Sequence, residues 1–283
     1  MAGVTDGLLR RRANDPVIMG VLNVTPDSFS DGGRYLNRDD AIAHARLMYA
    51  QGADIIDVGG ESTRPGAGRV DAETEIGRVV PVIRELASAG VEVSIDTTRA
   101  EVASASLEAG AAIVNDVSGG LADANMAKVV AEAGCPWILM HWRGHSRAMA
   151  ELATYTDVVA EVCAELRERA DAAIAAGVDA GRIIVDPGLG FAKTAEHNWQ
   201  LSAHLDAVLA IGFPVLFGSS RKSYLGSLLA GPDGTPRPVT MREAATLATT
   251  LLAVDAGVWG VRVHDVASTS DAIRVWQAVR AHR

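Results

Sequence analysis

Cysteine is scarce. The 283-residue sequence holds two, Cys135 and Cys163, and neither stands in a C-x-x-C pair or near a cluster of possible metal ligands. That argues against a disulfide framework or a thiolate zinc site and leaves two reduced thiols. Positive charge is also short. Twenty-six Lys and Arg face 35 Asp and Glu, a net charge of −9. A general nucleic-acid binder needs the opposite balance, although an anionic substrate remains open wherever cations gather locally. Long apolar runs are missing too: none approaches the roughly 20 residues a membrane span needs. At the N-terminus, Gly7-Leu8-Leu9 before Arg10-Arg11-Arg12 is too short for a signal-peptide core, and its charges follow rather than precede it. These absences point to a cytoplasmic protein with neither nucleic-acid nor membrane partners. Residues 1–14 read as a flexible N-terminal arm ahead of one domain, 15–283.

Apolar residues make up 48% of the chain, enough for a large core. Short apolar runs bounded by turn residues recur at 17–22, 54–58, 91–95, 111–114, 136–140, 182–185, 212–217 and 257–261, the pattern of strands buried on both faces. Between them the spacing predicts helices over 39–51, 71–89, 99–109, 125–133, 155–176 and 196–211. A short helix begins near Ser223, and two more cover 241–256 and 267–281. Residues 142–154 are polar and irregular, an exposed loop. Crossovers that carry helices make neighbouring strands parallel and the connections right-handed. Eight such units favour a single closed (β/α)8 TIM barrel over an open doubly wound sheet, because no strand looks like a charged edge.

In such a barrel the C-terminal strand ends converge on one face, where catalytic groups sit. Read in order, those ends are Asn23, Glu61, Asp96, Asn115, His141, Asp186, Ser219 and Arg262. Any one alone is explained as a turn former; eight together are not. Asp96, Asp186 and Asn115 are acceptors suited to a planar heterocycle bearing amino and ring N–H donors. The cations Arg221, Lys222, Arg262 and His264 follow the last two strands, the sector that often binds phosphate in this fold. The run Ser219-Ser220-Arg221-Lys222-Ser223 opens a helix, whose first N–H groups favour an anion. Two turn-rich stretches, 23–33 and 59–69, follow the first two strands and carry Phe29 and Arg64. They read as mobile loops able to cover the site and exclude water.

Segments 19–33, 57–66, 94–97, 114–119, 186–193, 219–225 and 260–266 together resemble the dihydropteroate synthases of folate biosynthesis, from Val17 onward. The resemblance implies condensation of 6-hydroxymethyl-7,8-dihydropterin pyrophosphate with para-aminobenzoate, giving dihydropteroate and pyrophosphate. It implies a pterin pocket of Asp96, Asn115, Asp186 and Lys222, with the pyrophosphate against Arg262 and His264. It places the aminobenzoate between Thr63, Pro65, Phe191 and Ser223, with Asp27, Phe29, Asp31 and Arg64 on the two loops. It also implies Mg²⁺ at Asn23, an amide oxygen suited to a hard ion held mainly by pyrophosphate and water. Sulfonamides would compete with the aminobenzoate, and the chain would form a homodimer through its last helices. The charges favour a dissociative, SN1-like displacement in which Lys222, Asp96, Asp186 and Arg262 are catalytic. Two alternatives share the pterin pocket: a folate-binding methyltransferase barrel, which has no use for a pyrophosphate site, and an inactive pterin-binding paralogue, which needs no water-excluding loops.

Overall fold

The computed structural model describes residues 2–11, 15–25, 38–61, 70–144 and 151–282. Eight strands, β1 Val17–Asn23, β2 Ile55–Gly59, β3 Val93–Asp96, β4 Ile113–Asp116, β5 Trp137–Met140, β6 Ile183–Asp186, β7 Leu216–Phe217 and β8 Gly260–Val263, pair in parallel in the order β6-β5-β4-β3-β2-β1-β8-β7. A parallel bridge from Val185 to Val215 joins β6 to the lead-in of β7 and brings the ring round. The expected barrel is therefore present.

The helices on its outside are α2 Arg38–Ala50, α3 Ala72–Ser88, α4 Ala100–Glu108, α5 Met126–Ala133, α6 Val158–Ala175, α7 Ala195–Ala203, α8 Leu205–Leu209, α9 Ser223–Leu228, α10 Glu243–Ala256 and α11 Val266–Arg280. Their ends follow local chemistry. Asp71 caps α3 by accepting from the Thr74 N–H at 2.7 Å, and Asp157 caps α6 in the same manner. Gly134 and Gly257 close α5 and α10 in the left-handed conformation. Pro81 lies inside α3 without ending it. The helix expected over 196–211 is two pieces, broken at His204, where no Gly or Pro marks the break.

Strand alternation sorts the core into two layers. Ile18, Leu22, Ile56, Val58, Val93, Ile95, Val114, Leu139, Val185, Val261 and Val263 face outward and pack under the helices. Val17, Met19, Ile55, Ile113, Ile138, Ile184 and Leu216 face inward and fill the lower half of the barrel. Truncating one of these to Ala costs about 2–5 kcal/mol.

That lower layer has a lid. Residues expected as a loose arm form a helix, α1 Ala2–Leu9, and Leu8 joins the inward cluster beside Trp259. The Trp259 indole N–H donates to the Leu8 carbonyl at 2.9 Å, and Arg11 grips Asp54 with two bonds of 3.0 and 2.7 Å. The physical reason is the open, apolar floor of the ring, which the α1 end covers. One buried leucine leaves no periodicity in the sequence to announce this.

Candidate active site

The inward positions change character along the strands. Above Ile55 on the same side of β2 stands Asp57. Above Ile113 on β4 stands Asn115, and above Ile184 on β6 stands Asp186; Ser94 and Asp96 share the inward side of β3, and Arg262 follows Gly260 on β8. The barrel interior is thus apolar at its floor and ionic at its C-terminal mouth. Arg262 ties the mouth together. Its Nε donates to Asp57 and its terminal nitrogen to Asp96, each at 2.7 Å. Asp57 also accepts from the Ser94 hydroxyl and from the Asn115 amide nitrogen, the latter at 2.9 Å. A carboxylate can only accept, so Asn115 presents its NH₂ to Asp57 and keeps its carbonyl for another donor.

Asp57, fully buried, is the residue that reading strand ends missed. Its signal was parity: it shares a face with Ile55, two residues before. Glu61, read as the rim residue of β2, instead pairs with Arg99 at 2.9 Å and accepts from the Val70 N–H at 3.2 Å.

Asp186 ends β6 at a tight turn. One of its oxygens accepts from the Gly188 N–H at 2.7 Å. A side chain begun at Gly218 would stand 3.8 Å from the other oxygen and 3.9 Å from Arg262 Cβ, so Asp186 and Arg262 flank the same point. Across the turn, the Lys222 ammonium lies 4.2 Å from the centre of the Phe191 ring. Its alkyl stem crosses Gly190 so closely that a methyl there would meet Cδ at 3.0 Å. Burial, then Arg262, pull Lys222 down to about 8, while Asp186 and Asp96 oppose them. Burial pushes the Asp96 carboxyl up to about 7 against the pull of Arg262, with Asp57 adding to the rise. Burial raises Asp186 as well, opposed by the Gly188 N–H and by Lys222. Desolvation works against the charge on Arg262, but Asp57 and Asp96 outweigh it and raise its pKa.

The phosphate sector is partly as expected. Ser220 Oγ accepts from the His264 backbone N–H at 3.2 Å and lies 2.9 Å from Nδ1 of that ring, so one hydroxyl holds both the backbone and the imidazole of His264. Ser223 opens α9 and is exposed. Arg221 pairs within the protein. It takes a left-handed backbone (φ 60°), and the Nε of its guanidinium donates to Glu243 at 3.1 Å. Ser219 is buried against Thr249 at 2.8 Å, and His141 is buried between Glu165 and Lys193. Asn23 ends β1, its amide oxygen 3.8 Å from the point where a Gly59 side chain would begin; an Asp96 oxygen lies 3.7 Å from the same point. Among the described residues no group of three or more His, Cys, Asp or Glu is placed to hold a metal. Asp27, Phe29, Asp31, Thr63, Arg64 and Pro65 lie outside the described residues.

Comparison with known proteins agrees with this geometry. The family model described as "Pterin binding enzyme" matches residues 19–264. The dihydropteroate synthase of Mycobacterium leprae is 59% identical over 259 residues, covering 91% of each chain. The solved structure of Xanthomonas albilineans dihydropteroate synthase with 4-aminobenzoic acid superposes with a TM-score of 0.87 at 44% identity, covering 95% of this chain and 94% of that one. The Yersinia pestis dihydropteroate synthase, in complex with a sulfonamide drug, gives 0.88 at 39% identity over 95% and 96%. With inward acids, an amide and two cations converging at one barrel mouth, and likeness across nearly the whole length, the chain belongs to the dihydropteroate synthase family of pterin-binding enzymes.

Proposed function

We propose that the barrel mouth joins 6-hydroxymethyl-7,8-dihydropterin pyrophosphate to para-aminobenzoate, releasing pyrophosphate. The observation that carries this reading is the junction of Asp57, Asp96 and Arg262, with Asp186 and Lys222 at the same mouth. Asp186 and the Asn115 carbonyl accept from the pterin amino and ring N–H groups. Lys222 donates to the ring carbonyl and nitrogen. Arg262 and His264 receive the diphosphate. The aminobenzoate lies by Phe191 and Ser223, with Thr63 and Pro65. Asp27, Phe29, Asp31 and Arg64 come over it on the loops and keep water out.

The charges favour a dissociative path. The C–O bond breaks, its electron pair leaves with the diphosphate, and Arg262 and His264 offset the developing negative charge. The methylene left behind is cationic and conjugated with the pterin ring, where Asp96 and Asp186 stabilise it. The neutral arylamine then forms the C–N bond and gives up a proton. Asn23 supplies a hard amide oxygen at the rim beside Asp96, which fits an ion shared with diphosphate and water. Mg²⁺ so held would add charge neutralisation at the leaving group.

The same reading extends to assembly and location. Leu252 on α10 and Val275 and Val279 on α11 are exposed on helices that pack together, which supports a homodimer through this side; sedimentation would show a species of twice the chain mass. No helix among the described residues is long and apolar enough to cross a membrane, and the two thiols are free; we place the enzyme in the cytoplasm. Incubation with both substrates and mass analysis tests the reaction. Dihydropteroate with equimolar pyrophosphate supports it. A methyltransferase barrel would release no pyrophosphate, and an inactive paralogue would bind pterin without product.

A further inference from the structure

The turn after β6, residues 187–193, has no regular structure. Gly188, Gly190 and Ala192 all take positive φ values of 65°, 77° and 46°. A Cβ at Gly188 would fall 2.4 Å from the His141 carbonyl oxygen, so the turn lies hard against the end of β5. Backbone of this kind needs outside partners, and side chains supply them. The Tyr155 hydroxyl donates to the Ala192 carbonyl at 3.0 Å, and Asn198 accepts from the Gly190 N–H at 2.7 Å. Lys193 supplies most. Its ammonium lies 3.1 Å from the Gly188 carbonyl, 3.1 Å from the Phe191 carbonyl and 2.8 Å from Nδ1 of His141. Burial pulls Lys193 down to about 7, and in its ammonium form its three N–H groups meet these three acceptors. With that form present, His141 accepts at Nδ1 and donates from Nε2 to Glu165 at 2.9 Å.

We propose that Lys193 is a positioning residue for the arylamine half of the site: it holds the 187–193 turn and so sets the Phe191 ring on which Lys222 rests. The proposal deepens the functional reading above and rests on it. Lys193 touches neither substrate in that reading. It acts through Phe191, whose ring forms a wall for the aminobenzoate on one side and carries the Lys222 ammonium at 4.2 Å. The charged and titratable groups around Lys193 come from every neighbouring element: Asp186 from β6, Glu165 from α6, Arg143 and His141 from beyond the end of β5, and Lys222 beyond β7. The imidazole is held neutral there, since burial takes His141 down to about 4.

Two variants test this, each assayed for melting temperature, kcat, and KM for para-aminobenzoate. Lys193→Met keeps the length and removes the donors. Tyr155→Phe keeps the ring and removes the one hydroxyl bond to the same turn. A purely structural role would lower the melting temperature and the active fraction, leaving KM unchanged in the folded remainder. The positioning role raises KM for the arylamine about tenfold in Lys193→Met and about threefold in Tyr155→Phe, with pyrophosphate affinity at the wild-type value. Wild-type arylamine KM in both folded variants overturns the proposal, and if Lys193→Met fails to fold, Tyr155→Phe alone decides. A wild-type enzyme that makes no dihydropteroate would instead overturn the functional reading, so the two failures are separable.

Discussion

The Arg262 guanidinium lies 2.7 Å from the carboxylate of Asp57, a side chain with no exposed surface. Removing one member of such a pair leaves the other charge buried without compensation, which costs about 3–5 kcal/mol. Arg262→Ala should therefore lower the urea midpoint substantially, and Asp57→Asn in the same chain should restore part of the loss. The single variant should also bind the pyrophosphate-bearing pterin less well by a larger factor than bare pterin. An unchanged midpoint would contradict the pair, and equal binding losses the phosphate role.

Asp186 meets the turn with one oxygen and the mouth with the other. Asp186→Ala removes the acceptor for two adjacent pterin donors, and pterin affinity should fall below detection in a calorimetric titration. A variant that binds pterin as the wild type does would take away the anchor of the site.

Lys222 is drawn down to about 8 by burial and by Arg262. Its cationic form, the better donor to the pterin ring, predominates below that value and is lost above it. Free enzyme should then show kcat/KM falling on the alkaline side near pH 8. Lys222→Arg stays charged throughout and should move that limb upward at reduced activity. Lys222→Ala should lose at least about a hundredfold, on the order of 3 kcal/mol. A flat profile through pH 9 in the wild type would argue against the assignment.

The legible part of the site is the set of polar residues at or just beyond the ends of apolar runs. Asp96, Asn115, Asp186, Lys222 and Arg262 stand where such ends converge, because a parallel barrel gathers them whatever their distance along the chain. Asp57 escaped because it sits two residues inside its strand, and only the inward parity shared with Ile55 betrays it. Lys193 could not be read at all: its partner His141 is 52 residues away, and its other two acceptors are carbonyls of a left-handed turn. Sequence order also could not say that the Arg221 guanidinium pairs with Glu243. The α1 cap was invisible because a single Leu8-Leu9 pair covers the floor, too little for a periodic signal.

The arylamine side is open to drugs that share its shape. A sulfonamide should raise the apparent KM for para-aminobenzoate and leave kcat unchanged, as expected for two ligands exclusive at one place. The Yersinia pestis relative is solved with such a drug. A lowered kcat at saturating aminobenzoate would put the inhibitor elsewhere.

A coupled assay of pyrophosphate release addresses the joint grip of ring and diphosphate most directly. With both substrates, the wild type should release pyrophosphate over many turnovers, and Asp186→Ala and Lys222→Ala should each fall at least about a hundredfold although one ends β6 and the other lies beyond β7. Release by either variant at the wild-type rate, or none by the wild type, would contradict the account.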